Sequence, residues 1–238
     1  MTKVLLPPYV WWRQAWWWLL DYGYMVRGHG QWLTGRRAYG ALRRRTHSRG
    51  AVLLIPGIFE GRYFMMPLAR RLAKLGYDVH ILPVDALNVR PPEQQAEHIH
   101  EYLERQGLLG TDIVGHSKGG LDALAYVRLH PRDRRVRRVV AVAAPFNGTT
   151  LSRYIPLASV RLLAADGEAA RAVARTDLKA GRVVSIAPAW DNHIWHTSGS
   201  YLVMAANISL RVYGHHRILF TPELARTIDA VLREDILK

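Results

Sequence analysis

From Ala51 onward, short apolar runs alternate with stretches of helical spacing. Ala51–Ile55 is continuously apolar and stops at Pro56-Gly57, the pattern of a buried parallel strand. Over 62–75, Phe64, Leu68, Leu72 and Leu75 recur at intervals of three and four, which predicts a helix ended by Gly76. Val79, Ile81 and Leu82 form the next strand, stopped by Pro83, and Pro92 opens a helix running to about Gln106. Asp112–Val114 is a third strand, Lys118–Leu129 a helix, and Val136–Ala144 a fourth strand. Val183–Ala187 and Leu210–Tyr213 add two more, and a last helix starts at Thr221-Pro222, a good N-cap followed by proline at the first helical position. This β-α rhythm predicts an α/β fold with a mainly parallel central sheet of about six strands flanked by helices.

The rhythm breaks over 149–181, where two helical patches, Leu157–Leu163 and Glu168–Leu178, replace the strand pattern. A small helical cap insertion there would lie above the C-terminal strand edge, where open α/β sheets bind ligands. The chain thus divides into residues 1–50, a Trp-rich N-terminal segment with a basic connector, and a catalytic domain over 51–238. Residues 35–50 carry Arg36, Arg37 and Arg43–Arg45 among glycines and read as irregular. Trp11, Trp12, Trp16, Trp17 and Trp18 fall close together, with aromatics on all sides of a helical wheel. Between Arg13 and Asp21 the uncharged stretch runs only from Gln14 to Leu20, too short to span a bilayer. No signal-peptide pattern is present. The favoured expectation is a helix packed on the domain and roofing its pocket in a cytoplasmic protein. Peripheral membrane contact through the indoles is the alternative.

Length and composition add bounds. The 238 residues, 49% hydrophobic and 22% charged, suit one globular domain. Cysteine is absent, which excludes disulfides, thiolate metal sites and a cysteine nucleophile. The net charge of +14 permits anionic partners, but no nucleic-acid motif accompanies it, so nucleic acid is not an expected partner. The densest basic run, Arg132–Arg138, precedes a strand and reads as a polar loop.

The strongest chemical signal is Gly115-His116-Ser117-Lys118-Gly119-Gly120, a G-x-S-x-G between a strand and a helix. A strand turning sharply into a helix strains the serine backbone, and side chains two residues before and after would collide, so glycine is needed at both. Ser117 is then the candidate nucleophile. Acyl transfer needs two preorganised N–H donors for the oxyanion. Lys118, after the nucleophile, and Ile58, after the first strand, are placed to supply them from the backbone. The chain order Ser, acid, His directs the search for base and acid downstream. Asp191 follows the strand Val183–Ala187, and His215 and His216 follow Leu210–Tyr213. Asp85, after the second strand, is an alternative acid. His193/His196 and His98/His100 lack a third ligand, so no metal is expected. His116 reads as a packing residue and the Lys118 side chain as solvent-reaching.

From Ala51 on, the chain resembles bacterial esterases and lipases of the α/β-hydrolase superfamily. Gly115–Gly120 is similar to their G-H-S-x-G-G, and Ala143-Ala144-Pro145-Phe146-Asn147-Gly148-Thr149 to their A-T-P-x-x-G-[ST]. Gly214–Phe220 is similar to their G-H-x-x-L-L-[FY] ending, whose histidine is the base, and this phasing selects His215 over His216. Asp191-Asn192 resembles the acid segment. Two positions depart: Pro56 stands where the family has His, and Lys118 where an uncharged residue is usual. The resemblance implies an α/β-hydrolase fold, a Ser117-His215-Asp191 triad, no cofactor and a small-molecule or lipid ester substrate. Thioesterase, phospholipase and acyltransferase chemistry share the same parts. A ligand-binding protein docking a membrane or partner is the non-enzymatic alternative.

Overall fold

The structure is a computed structural model that describes residues 11–43, 49–84, 87–149, 152, 154–174, 182–195, 198–203 and 205–233. Six strands form one sheet: β1 (Arg49–Ile55), β2 (Tyr77–Ile81), β3 (Thr111–His116), β4 (Val136–Val142), β5 (Val183–Trp190) and β6 (Ala206–Tyr213). Their order is β2-β1-β3-β4-β5-β6, and every pairing is parallel. The chain moves outward from β1 to β2 and returns to place β3 on the other side of β1. The strand order therefore reverses between β1 and β3, and a crevice opens at their C-terminal ends.

Apolar runs on the strands feed both faces, because successive side chains alternate. Val52 and Leu54 join one core with α3 (Met66–Lys74) and α8 (Pro222–Leu232), through Leu68, Leu72, Leu224 and Ile228. Leu53 and Ile55 join the other with α4 (Pro92–Arg105) and α5 (Lys118–Leu129), through Ile99, Leu103, Leu121 and Leu124. Thr221 caps α8 by accepting from the Leu224 N–H. Strand β6 begins four residues earlier than the apolar run Leu210–Tyr213 suggests. It is an edge strand, and its first half alternates half-buried Ala206 and Ile208 with exposed Asn207 and Ser209. Between β4 and β5, where a cap insertion is expected, α6 (Ala158–Arg161) and α7 (Glu168–Ala174) are short helices; residues 175–181 lie outside the described ones.

The N-terminal segment folds as two helices, α1 (Trp11–Gly30) and α2 (Trp32–Arg43). Part of the stretch read as an irregular connector is thus helical, and residues 44–48 lie outside the described ones. The glycines that concealed α2 serve close packing. A Cβ at Gly35 would lie 2.5 Å from that of Tyr63, and one at Gly28 would strike the Phe64 ring. On α1, residues 14, 17, 18, 20, 21, 24, 25 and 28 are half-buried or buried. Trp17 stacks on Tyr213 at 4.3 Å and tilts against Trp190 at 5.5 Å. Among the described residues, no helix is long and apolar enough to cross a membrane.

Candidate active site

Ser117 stands between β3 and α5 with φ 52° and ψ −124°, a conformation most side chains avoid. The glycines around it explain how the turn fits. A Cβ on Gly115 would overlap the Gly119 carbonyl, and one on Gly119 would lie 2.5 Å from Ile55 O. A Cβ on Gly120 would lie 2.6 Å from that of Ala144. Only a chain without side chains there can bring α5 so close to the sheet. Ser117 N–H donates to Val142 O at 2.8 Å, which ties the turn to β4.

Ser117 and Ile58 share the wall of a cavity of about 130 Å³ with His193, His215 and His216. Apolar atoms dominate the rest, from Met25 on α1 and from Ile155, Val160 and Leu163 between β4 and β5. Lys118 begins α5, so its backbone N–H belongs to the helix's first, internally unbonded turn.

His215 Nδ1 lies 2.8 Å from Asp191 Oδ2 and 3.1 Å from Oδ1. Asp191 Oδ1 also accepts from the His193 and Ile194 N–H groups at 2.7 and 2.8 Å, so the carboxylate organises its own loop. Asn192 Oδ1 accepts from His215 N–H at 3.0 Å and fixes the backbone beneath the ring. Burial pushes His215 toward its neutral form, yet the Asp191 carboxylate outweighs it and the imidazole's pKa is raised above 6.5. Asp85 and His196 lie outside the described residues.

Asp21 on α1 carries no signal that sequence reasoning recognised. Its Oδ1 accepts from the His216 and Arg217 N–H groups at 2.8 and 2.9 Å, and its Oδ2 lies 2.9 Å from His216 Nδ1. Gly214, at φ +125°, leaves room for this contact, because a Cβ there would sit 2.5 Å from Asp21 Oδ1. Burial raises the Asp21 pKa, but the His216 hydrogen bond and charge and the Arg217 N–H more than reverse it, so the carboxyl stays ionised. The helix expected only to roof the pocket therefore also grips the loop that carries His215. Asp21, His193 and His216 each offer a ligand-type atom, all within 4.8 Å of one another. Both Asp21 oxygens and His216 Nδ1 are already engaged in the clamp.

Three sequence expectations are corrected. Lys118 does not reach solvent: its side chain is fully buried, with Nζ 2.6 Å from Asp122 Oδ1. Asn88 completes the group, donating to Asp122 Oδ2 at 2.9 Å and to Pro56 O at 2.8 Å. Helix α5 is enclosed along its first turns, so the lysine stem has no path outward and folds onto the residue one turn on. Burial raises the Asp122 pKa even beside the ammonium. His116 is more than packing. Its Nε2 lies 3.0 Å from His215 O and its Nδ1 2.8 Å from Glu60 Oε1. Glu60 in turn accepts from Gly57 N–H at 2.6 Å, linking the loop after β1 to the histidine loop. His100, expected on a solvated face, stacks on His130 at 4.4 Å and lies 3.1 Å from Asp133.

The sheet order, the elbow and the flanking helices define the α/β-hydrolase fold. No family model and no curated protein matches the chain. Solved structures do. An extracellular α/β-hydrolase from a Paenibacillus species is 18% identical over 78% of this chain and 98% of its own, with a TM-score of 0.54. The monoacylglycerol lipase of Paleococcus ferrophilus is 17% identical over 79% and 94%, with a TM-score of 0.57. The mature lipase BlEst2 of Bacillus licheniformis is 14% identical over 77% and 92%, with a TM-score of 0.58. At these identities the likeness speaks for the shared fold.

Proposed function

We propose that the chain is a serine hydrolase of carboxylic esters with an apolar acyl part. The observation that carries this reading is the Asp191–His215 pair, 2.8 Å apart, opening on the same cavity as the strained Ser117. In this reading Ser117 Oγ attacks the ester carbonyl as His215 takes its proton, while Asp191 holds the ring and stabilises the imidazolium. The Ile58 and Lys118 N–H groups hold the oxyanion. The alcohol leaves with the proton from His215. Water, deprotonated by the same ring, then splits the acyl-enzyme and frees the acid and Ser117. The apolar cavity wall supports an apolar acyl group, and the esterases and lipases among the similar structures agree with the chemistry. No step needs a cofactor.

The test is hydrolysis of p-nitrophenyl esters from acetate to palmitate. Wild type should be active, with a preference for longer acyl groups over acetate, and Ser117→Ala should lose at least ~10³-fold in kcat. Equal activity of the two would sink the assignment. A fluorophosphonate probe should label the wild type and spare the variant.

A further inference from the structure

Helix α1 has a second face. Opposite the residues that pack on the domain, Trp12, Trp16, Leu19 and Val26 recur at helical spacing through Gly23, with Trp11 and Tyr22 beside them. These side chains are large and apolar, and the first four are 54–66% exposed. Trp32 and Leu33 extend the surface onto the start of α2 and are more exposed still. Scattered exposed apolar residues are ordinary, whereas a contiguous aromatic stripe on one helix marks a contact surface.

The charge around the stripe selects its partner. Residues 1–50 hold nine Lys and Arg and a single acid, Asp21, which is buried in the histidine clamp. These residues thus carry +8 of the chain's net charge of +14. Of the nine, Arg43 pairs with Asp78 and Arg49 with Asp229, whereas Arg13, Arg27, Arg36 and Arg37 are exposed on the two helices. The other basic cluster differs: Arg135 pairs with Asp133 and Glu104, Arg137 with Asp112, and Arg138 with the Val231 carbonyl. Indole and phenol rings settle at the boundary of headgroups and acyl chains, and arginines beside them are drawn to anionic headgroups.

We propose that the outer face of α1, with Trp32 and Leu33, docks on the surface of an anionic lipid bilayer, the helix lying in the interface plane. The inner face of this helix lines the Ser117 cavity through Met25, with His29 at the flank of the helix beside it. A docked chain therefore holds that cavity about one helix diameter, roughly 10–12 Å, from the lipid. Resting on the hydrolase reading, this makes lipid esters delivered from the bilayer the natural substrates.

Vesicle co-sedimentation of the full chain tests the docking apart from catalysis. The Ser117→Ala chain is used, so binding is read without turnover. It should pellet with vesicles of equal parts phosphatidylglycerol and phosphatidylcholine, and bind pure phosphatidylcholine at least ~10-fold more weakly. Replacing Trp12, Trp16 and Leu19 together by Ser should weaken binding by a further ~10-fold or more, with an unchanged circular dichroism spectrum. Exchanging Arg36 and Arg37 for Gln should remove most of the phosphatidylglycerol preference while some binding persists. Undiminished binding by the triple variant would overturn the proposal. So would absence of wild-type binding, or a concentration-dependent dimer that the triple variant abolishes, since the stripe would then serve a second copy.

Discussion

His215 and His216 are consecutive, buried, and each within 2.9 Å of a carboxylate, Asp191 for the first and Asp21 for the second. The pKa values of the two rings nevertheless move in opposite directions. Burial disfavours the charged form of both rings, but Asp191, with help from Asp21 and Glu60, lifts His215 above 6.5. For His216 burial prevails, the Asp21 hydrogen bond notwithstanding, and the charge of His215 adds to it, so its pKa falls. The ring centroids are only 5.2 Å apart, so a proton on one opposes a proton on the other. His193, stacked on His215 at 4.6 Å, is pushed well below 6.5 by burial and by its cationic neighbours. A carboxylate–imidazole contact alone does not designate a base. The charge each ring carries is decided by the sum of the surrounding charges.

The sharpest way to break this comparison is to remove each ring in turn. His215→Ala should lower kcat by ~10⁴-fold or more, and His216→Ala by less than about 10-fold, measured on a p-nitrophenyl ester. Similar losses would abolish the distinction. Next come the acids. Asp191→Asn should cost ~10³–10⁴-fold in kcat. Asp21→Asn, which retains an oxygen for the two backbone N–H groups, should cost only about 10-fold with KM unchanged, since Asp21 positions the loop and does not touch the reacting atoms. The smallest effect concerns pH. A protonated His215 cannot accept from Ser117, so the acid limb of kcat/KM should lie above pH 6.5. The Asp21 carboxylate favours the protonated ring. Its loss in Asp21→Asn should move the limb toward lower pH. A limb that stays in place or rises would show that Asp21 leaves the His215 charge alone.

Much of the fold was legible because it rests on local rules. The run Ala51–Ile55, the spacing of α3 and the elbow glycines each state their own geometry, and α5 spans the predicted Lys118–Leu129. What was not legible depended on distant partners. Gly35 reads as a helix breaker until Tyr63 is seen to lie against it. Lys118 reads as a surface lysine until Asp122 and Asn88 enclose it. Asp21 reads as an interruption in an aromatic segment, because the groups it binds, His216 and Arg217, are 195 and 196 residues away. Asp191, an acid 24 residues before His215, is singled out by the order Ser, acid, His and by the likeness of its segment to the family's acid segment. One supplied from another part of the fold has no comparable signature.

That separation also bears on how the chain reaches its native form. Helix α1 leaves the ribosome before the six described strands, while the segment it must bind follows 195 residues later. At about 5–20 residues per second, the interval is roughly 10–40 s. Throughout it, the part of α1 that meets Trp190, Tyr213 and the histidine loop stands without its final neighbours, and the closing contact has one of the highest contact orders in the molecule. Completion of the histidine loop is therefore a late folding event, and the nascent N-terminal helix is the part of this protein that most needs shelter during synthesis.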